Sequence, residues 1–186
     1  EQLARDTAAD PLLEFRRVNV EGTRSLLRAA RESGVRHLVF ASSVKAVGDA
    51  TTAPWTSRTP PAPSDPYGMS KLEAERVLLS SGAADGPTIT VLRFPLIYGP
   101  GMKGNMLRLF SLIHRGWPVP VGSAGNARRL LFGGNAVAAI QRVLDRVSGE
   151  PTLPAPAGPF FTADGPALST AKIVGDVARS LGLTYE

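Results

Sequence analysis

The chain has 186 residues, and its 43% hydrophobic content is enough for one domain with a substantial core. Its 21 basic and 16 acidic residues give a net charge of +5, which favours anionic partners, but no run of Lys or Arg indicates nucleic-acid binding. The absence of cysteine excludes disulfides, zinc–thiolate sites and thiol nucleophiles. No apolar run approaches about 18 residues and no signal peptide is present. We therefore expect a soluble cytoplasmic protein that binds neither nucleic acid nor membrane.

The first elements follow from clear start and stop signals. The sequence opens without Met on polar residues that lead straight into a helix, so we expect a piece of a longer protein. Asp10 followed by Pro11 is a typical helix start and Gly34 a typical stop, so residues 10–34 predict one long helix. The apolar run at 37–41 predicts a strand buried on both faces. A long irregular loop is expected over residues 44–66.

The remaining elements alternate between helices and strands. A helix is predicted at 66–80, followed by a strand at 89–93 that ends at Pro95. Further helices are predicted at 105–115, 135–147 and 169–181, with short strands at 130–132 and 160–162. This order indicates an α/β fold with a mostly parallel sheet.

Polar residues collect at one edge of the predicted sheet. Ser42 and Ser43 end the first strand, and the loop that leads to Tyr67 leaves the same edge. Because right-handed crossovers bring the carboxyl ends of parallel strands together, we expect the helix with Tyr67 and Lys71 to begin beside the serines.

These residue types suit proton transfer at a carbon-bound hydroxyl. A tyrosine with a pKa near 10 is a poor acid or base at neutral pH unless its phenolate is stabilised. Lys71 follows Tyr67 by one helical turn, and we expect its ammonium to lower the pKa of Tyr67. A serine hydroxyl could hold the substrate oxygen against the phenol. Such a proton transfer is half of a hydride-transfer reaction at a carbonyl.

An ordinary structural interpretation competes with this one. Tyr-x-x-x-Lys is common on helices, and Tyr67 could be a packing residue with Lys71 on a solvated face. The order of strand, Ser-Ser, long loop and Tyr-x-x-x-Lys favours the functional interpretation. His37 and His114 lie in no ligand cluster, so we expect no metal site.

Three stretches resemble the second half of the extended short-chain dehydrogenase/reductases, in the NAD-dependent epimerase/dehydratase family that acts on nucleotide sugars. They are "VNVEGTRSLLRAARESGVRHLVFASSVKAVGD", "DPYGMSKLEAE" and "LRFPLIYGPG". The resemblance implies that Ser43, Tyr67 and Lys71 form the catalytic triad, with Tyr67 as the acid/base. Lys71 would also bond the nicotinamide ribose, and Ser43 would orient the substrate oxygen.

The same resemblance implies further contacts. Ser42 would be a neighbouring wall residue of the cofactor site, and the main chain at Pro95 and Leu96 would pass the nicotinamide. Asn105 and Arg128 would hold the nucleotide diphosphate of the substrate, which suits a guanidinium.

Asn19 is expected to support the active site through its helix, and Arg129 is a weaker phosphate candidate than Arg128. The implied cofactor is NAD, with NADP as the alternative, and the implied partners are a nucleotide-sugar substrate and a second copy in a homodimer.

The implied fold is a partial Rossmann-like doubly wound parallel sheet with a small substrate-side α/β portion. Residues 1–101 would be the second half of the NAD(P)-binding domain, and residues 102–186 a substrate-side region mixed with late Rossmann elements.

Some features depart from the family. No G-x-x-G-x-x-G fingerprint occurs anywhere, so this chain lacks most of the phosphate-binding half of the cofactor site and is expected to be inactive by itself. Lys45, Val47, Leu96 and residues 133–134 also differ from common relatives. These changes resemble a subgroup associated with 4-keto-sugar reduction or epimerisation and leave the exact substrate open. Two alternatives stay open: a reductase of steroid- or flavonoid-like alcohols, and a non-catalytic regulator that senses the dinucleotide.

Overall fold

The structure is a computed structural model that describes residues 9–49, 53–80, 86–119, 126–148 and 157–183. By their internal contacts these residues form two units. The first is Glu1–Pro95 with Val137–Thr162, and the second is Leu96–Ala136 with Ala163–Glu186. The domain boundary expected after residue 101 stays a prediction.

The N-terminal helical run is continuous, as predicted, but its geometry changes along its length. The Asp10 carboxylate accepts a hydrogen bond from Leu13 N (3.0 Å) and caps α1, Pro11–Phe15. A π-helical segment, Arg16–Glu21, follows and leads into α2, Gly22–Glu32. Gly34 then ends the run with a φ of +66°.

The sheet of the first unit is parallel, which confirms the predicted fold class. β1, His37–Ser43, pairs with β2, Thr88–Phe94, and β2 pairs with β6, Gly158–Phe161. Within the described residues, β2 is the central strand and β1 lies at an edge. The crossover between β1 and β2 contains a short 3₁₀ turn, Val44–Ala46, and helix α3, Pro66–Leu79.

A compact apolar cluster holds the helices against this sheet. α2 contributes Leu27 and Ala30, and α3 contributes Leu78, to a cluster that includes Leu38 and Val91 of the strands. All five side chains are buried. This packing fixes α3 on the sheet and brings its N-terminal turn to the carboxyl edge of β1.

The second unit contains two small sheets. β3, Leu96–Tyr98, pairs in parallel with β5, Leu130–Phe132, whereas β4, Ala127–Arg128, pairs antiparallel with β7, Leu168–Ser169. The helices are α4, Gly104–His114, and α6, Thr170–Ser180, which pack through Ile113, Val174 and Ala178. Helix α5, Gly133–Ser148, crosses from the second unit into the first.

Two kinds of feature are absent from the described residues: a helix that could span a membrane and a group of side chains that could hold a metal ion. None of the helices there is long and apolar enough to cross a bilayer. Nor does any group of three or more His, Asp or Glu side chains in these ranges stand close enough to hold a metal ion.

Candidate functional site

The start of α3 is fixed tightly at the end of β1. The Asp65 carboxylate accepts a hydrogen bond from Gly68 N (3.0 Å), which caps the helix one residue before its Pro66. Gly68 also lies so close to the 3₁₀ turn that an added Cβ would stand 2.3 Å from the carbonyl oxygen of Lys45. The main chain of α3 therefore contacts the turn directly after Ser43, and this places Tyr67 beside that serine.

The Ser43 hydroxyl lies close enough to the Tyr67 phenol to lower the pKa of that phenol. The Tyr67 ring also packs edge-on against Phe15, with 5.5 Å between ring centroids. Burial raises the pKa of Tyr67, and the Ser43 hydroxyl together with the charge of Lys45 acts in the opposite direction. The expectation that Lys71 lowers this pKa is wrong for this structure, because burial dominates and the nearby cation is Lys45.

Lys71 is a buried cation, with 8% of its surface exposed. Its Nζ donates a hydrogen bond to Ala41 O (2.7 Å) and lies 4.3 Å from the centroid of the Phe40 ring. Burial lowers the pKa of Lys71 to about 8, while the carboxylate of Glu75 raises it. The alternative that placed Lys71 on a solvated face is therefore wrong.

Three residues of α3 that are spaced one turn apart, Tyr67, Lys71 and Glu75, lie against the last three residues of β1. Lys71 is hydrogen-bonded to Ala41 and Glu75 to Ser42, while Tyr67 lies near Ser43, which acts on its pKa. Because the three residues follow the i, i+4 spacing, their side chains lie on the face of α3 that packs on the sheet.

The contact between Ser42 and Glu75 continues into a buried ion pair. Ser42 Oγ donates to Glu75 Oε1 (2.5 Å), and the guanidinium of Arg93 binds both oxygens of that carboxylate at 2.6–3.2 Å. Sequence reasoning missed Glu75 and Arg93. The signal was present, since each is a charged residue at a position where the periodicity of its helix or strand calls for an apolar side chain.

Asn19 reaches the candidate site from the π-helical segment. Its Nδ2 donates to Ser70 Oγ (2.9 Å), and Ser70 Oγ donates in turn to the main-chain oxygen of Tyr67 (2.8 Å). Arg16, in the same segment, binds Glu73 of α3 at 2.6 Å. π-helical turns inside longer helices often occur at functional sites, and this one supports the turn that carries Tyr67.

The residues expected to line the cofactor lie in different environments. The hydroxyl of Ser42 is buried and committed to Glu75, so its side chain faces α3. Pro95 directly follows β2, and Leu96 begins β3 with 38% of its surface exposed.

The residues expected to bind the substrate both belong to the second unit. Asn105 lies in the first turn of α4, and Arg128 lies in β4 opposite Leu168; both side chains are exposed. Arg129, the weaker candidate, donates a hydrogen bond to the main-chain oxygen of Gly165 (2.6 Å).

Comparisons with known proteins agree on one protein family. The sequence pattern of the "NAD dependent epimerase/dehydratase family" matches residues 4–153. A UDP-glucose 4-epimerase of Vibrio cholerae is 35% identical over 179 residues, which are 95% of this chain and 53% of the relative.

Two further proteins agree with that match. The N-acetyl-alpha-D-glucosaminyl-diphospho-ditrans,octacis-undecaprenol 4-epimerase of Escherichia coli O157:H7 is 32% identical over 88% of this chain and 48% of its own length. The crystal structure of a Thermus thermophilus UDP-glucose 4-epimerase in complex with NAD superposes with a TM-score of 0.75 and 27% identity, covering 95% of this chain and 58% of that one. The chain therefore spans about half the length of the curated relatives it matches.

Proposed function

Because the chain belongs to the NAD dependent epimerase/dehydratase family, we propose that it is the part of a nucleotide-sugar epimerase or dehydratase that supplies the acid/base group, Tyr67. The observation that carries this proposal is the placement of Tyr67 and the buried ammonium of Lys71 on one face of α3, at the end of the strand that carries Ser43. The whole protein would then consist of this chain together with a dinucleotide-binding half.

In this proposal Tyr67 moves a proton to or from the oxygen of one sugar carbon. Ser43 lies close enough to the phenol to lower its pKa, so a sugar hydroxyl or keto oxygen held by Ser43 would lie within reach of the same proton. Lys71 lies one turn further along the same face of α3, where its ammonium can bind a ligand held beside the phenol.

The residues present fit the nicotinamide end of NAD, which would supply the hydride acceptor and donor. An ammonium has three N–H donors, and the structure shows one hydrogen bond from Lys71 Nζ, to Ala41 O. The remaining donors can bind a ribose hydroxyl at the carboxyl edge of β1. Ser42, Pro95 and Leu96 would contribute their main chain to the same wall, since the Ser42 hydroxyl is bound to Glu75.

The nucleotide diphosphate would be bound by the second unit. Exposed Arg128 offers a guanidinium that can pair with phosphate oxygens, and Asn105 offers an amide at the start of α4. The names of the relatives favour UDP-sugars over apolar alcohols as the substrate class.

We also propose a homodimer that forms through the α1–α2 helical run and α3. Leu13 and Leu26 of that run are 60% and 56% exposed, which is typical of side chains that a partner covers. A monomer in light scattering of the whole protein would contradict this assembly.

The test of the acid/base role is Tyr67→Phe in the whole protein. We expect turnover with UDP-glucose to fall by at least about a hundredfold, because the proton can no longer be transferred through the phenol. NMR of the products distinguishes the three possible reactions, which are conversion to the 4-epimer, loss of water and reduction of the 4-keto sugar.

Tyr98→Phe is the matched control, since it removes a phenol hydroxyl from β3 in the second unit. We expect it to keep turnover within a few-fold of the unsubstituted protein. Equal turnover of Tyr67→Phe and the unsubstituted protein would rule out the proposed role.

A further inference from the structure

We propose that Glu75 is a positioning residue of the candidate site: its carboxylate, held by Arg93 and Ser42, fixes α3 against the end of β1 and sets the place and surroundings of the Lys71 ammonium. The proposal rests on the function proposed above. It adds a residue that touches neither the phenol nor a substrate and acts through Lys71.

The geometry makes Glu75 the point where three elements meet. Glu75 lies one turn beyond Lys71 on α3, Ser42 lies on β1, and Arg93 lies on β2 directly opposite Ser42 in the sheet register. Both charged side chains are almost fully buried, Glu75 at 1% and Arg93 at 5% exposure. The bonds to Glu75 therefore tie the helix to two strands, one residue before Ser43.

Apolar packing alone does not require this arrangement. Burying a carboxylate and a guanidinium costs desolvation energy, and a buried ion pair is often no more stabilising than apolar side chains of similar volume. Arg93 is held further by the Phe161 ring, whose centroid lies 5.5 Å from its Cζ. What the pair provides beyond stability is a fixed direction for the Glu75 carboxylate.

That carboxylate belongs to the residue one helical turn beyond Lys71 on the same face of α3. Burial lowers the pKa of Lys71 to about 8, and Glu75 is the group that raises it. Arg93 of β2 forms its ion pair with this same carboxylate. Of the charged side chains on elements packed against α3, Arg16 pairs with Glu73, and Lys45 pairs with Asp49 and Asp65.

The first experiment measures Lys71 directly. The whole protein is labelled with ¹³C at lysine Cε, and the pKa of Lys71 is followed by NMR in the unsubstituted protein and in Glu75→Gln. This chain contributes only Lys45, Lys71, Lys103 and Lys172, so few signals need assignment. We expect the pKa of Lys71 to fall below its starting value of about 8 when the carboxylate is replaced.

A second variant guards against misfolding. Glu75→Gln leaves Arg93 buried without its carboxylate, which can destabilise the fold. The double substitution Glu75→Leu with Arg93→Met removes both charges and keeps similar volumes, so it is expected to fold. In this variant too we expect the pKa of Lys71 to fall.

Kinetics separate positioning from a structural role. We expect kcat to fall on the order of tenfold in both variants while KM for the nucleotide sugar changes by less than about threefold. The alkaline limb of the pH–rate profile should move to lower pH, because Lys71 loses its proton earlier. A merely structural pair would change stability without moving that limb.

Glu73→Gln is the matched control. It removes a carboxylate from the same helix, and that carboxylate is paired with Arg16 and not with a neighbour of Lys71. It should leave the pKa of Lys71 unchanged. A folded double variant with an unchanged Lys71 pKa and an unchanged kcat would overturn the proposal. The NMR titration needs no turnover, so it gives an answer even where the proposed activity is absent.

Discussion

At the scale of single residues, burial and charge oppose each other at Lys71. The side chain is buried against β1, with its ammonium over the Phe40 ring, and this burial lowers the pKa of Lys71 to about 8 from 10.5. Lysines whose pKa is shifted in this way are common at functional sites, where the proton is needed but must be exchangeable. The same shift also has a consequence for stability that can be measured without any substrate.

We predict that the folded state gains stability as the pH rises from 8 to 10. In this window the unfolded chain still holds the proton of Lys71 that the folded chain has begun to release, so the free energy of unfolding increases with pH. The contribution of Lys71 should be roughly 2 kcal/mol across these two pH units. Tyr67, whose pKa is raised above 10, acts in the opposite direction only at higher pH.

Urea unfolding followed by circular dichroism at the two pH values measures this contribution. Lys71→Met is the comparison, because it keeps an unbranched apolar stem against Phe40 and removes the titrating group. The rise should be absent or smaller in that variant. Parallel pH dependence in both proteins would contradict a strongly shifted Lys71.

The sequence alone could suggest that Ser43, Tyr67 and Lys71 lie near one another, but it could not show the contacts that hold Lys71 in place. Ser43, Tyr67 and Lys71 were predictable because strand-end position and helical spacing are local signals. Glu75 and Arg93 each carried a local signal, a charge where an apolar side chain is expected, but their pairing was not predictable because it joins different elements and depends on the register of β1 with β2. The direction of the Tyr67 pKa shift was also beyond reach, since burial depends on tertiary packing.

At the scale of elements, most helices and strands could be predicted because they carry local start signals or strong apolar patterns. The long N-terminal run, β1, α3 and β2 match their expected positions within a few residues. The strands that escaped prediction are only two or three residues long: β3, β4 and β7. Such pairs exist because distant segments meet, and no periodicity of two can show in so few residues. The π-helical geometry of Arg16–Glu21 has no sequence signal of its own.

The junction between α3 and the 3₁₀ turn gives a prediction at this scale. Gly68→Ala should destabilise the fold by about 1–3 kcal/mol, although alanine favours helices by up to about 1 kcal/mol over glycine. The reason is that the new Cβ would lie 2.3 Å from the main-chain oxygen of Lys45, so helix and turn must separate. That movement would also draw Tyr67 away from Ser43. Chemical unfolding measures the loss.

Gly175→Ala in α6 is the control for this experiment. A Cβ at Gly175 meets no atom within 4 Å, so helix propensity alone should decide and the variant should be slightly more stable. Destabilisation of both variants to the same extent would mean that the contact with Lys45 is not the cause. A stable Gly68→Ala protein would show that α3 can start without this close approach.

At the scale of the whole molecule, the chain holds one end of the proposed cofactor site. It offers Lys71 and Tyr67 near the carboxyl edge of β1, but its sequence contains no glycine-rich fingerprint for the pyrophosphate. Within the described residues β1 is an edge strand, and the matched relatives are about twice as long. In the whole protein proposed above, a further strand of the doubly wound sheet would pair with β1.

We predict that residues 1–186 alone do not bind NAD in the micromolar range, whereas the whole protein does. Most of the binding energy for a dinucleotide comes from its pyrophosphate and adenosine, and a few bonds to one ribose cannot offset the entropy lost on binding. Isothermal titration calorimetry of the two proteins under the same conditions makes the comparison. Lys71→Met in the whole protein should weaken NAD binding by several-fold, which would show that this chain supplies the nicotinamide-ribose contact. Micromolar binding of NAD by residues 1–186 would instead place the main cofactor contacts within this chain. It would contradict the proposal that this chain binds only the nicotinamide end of NAD.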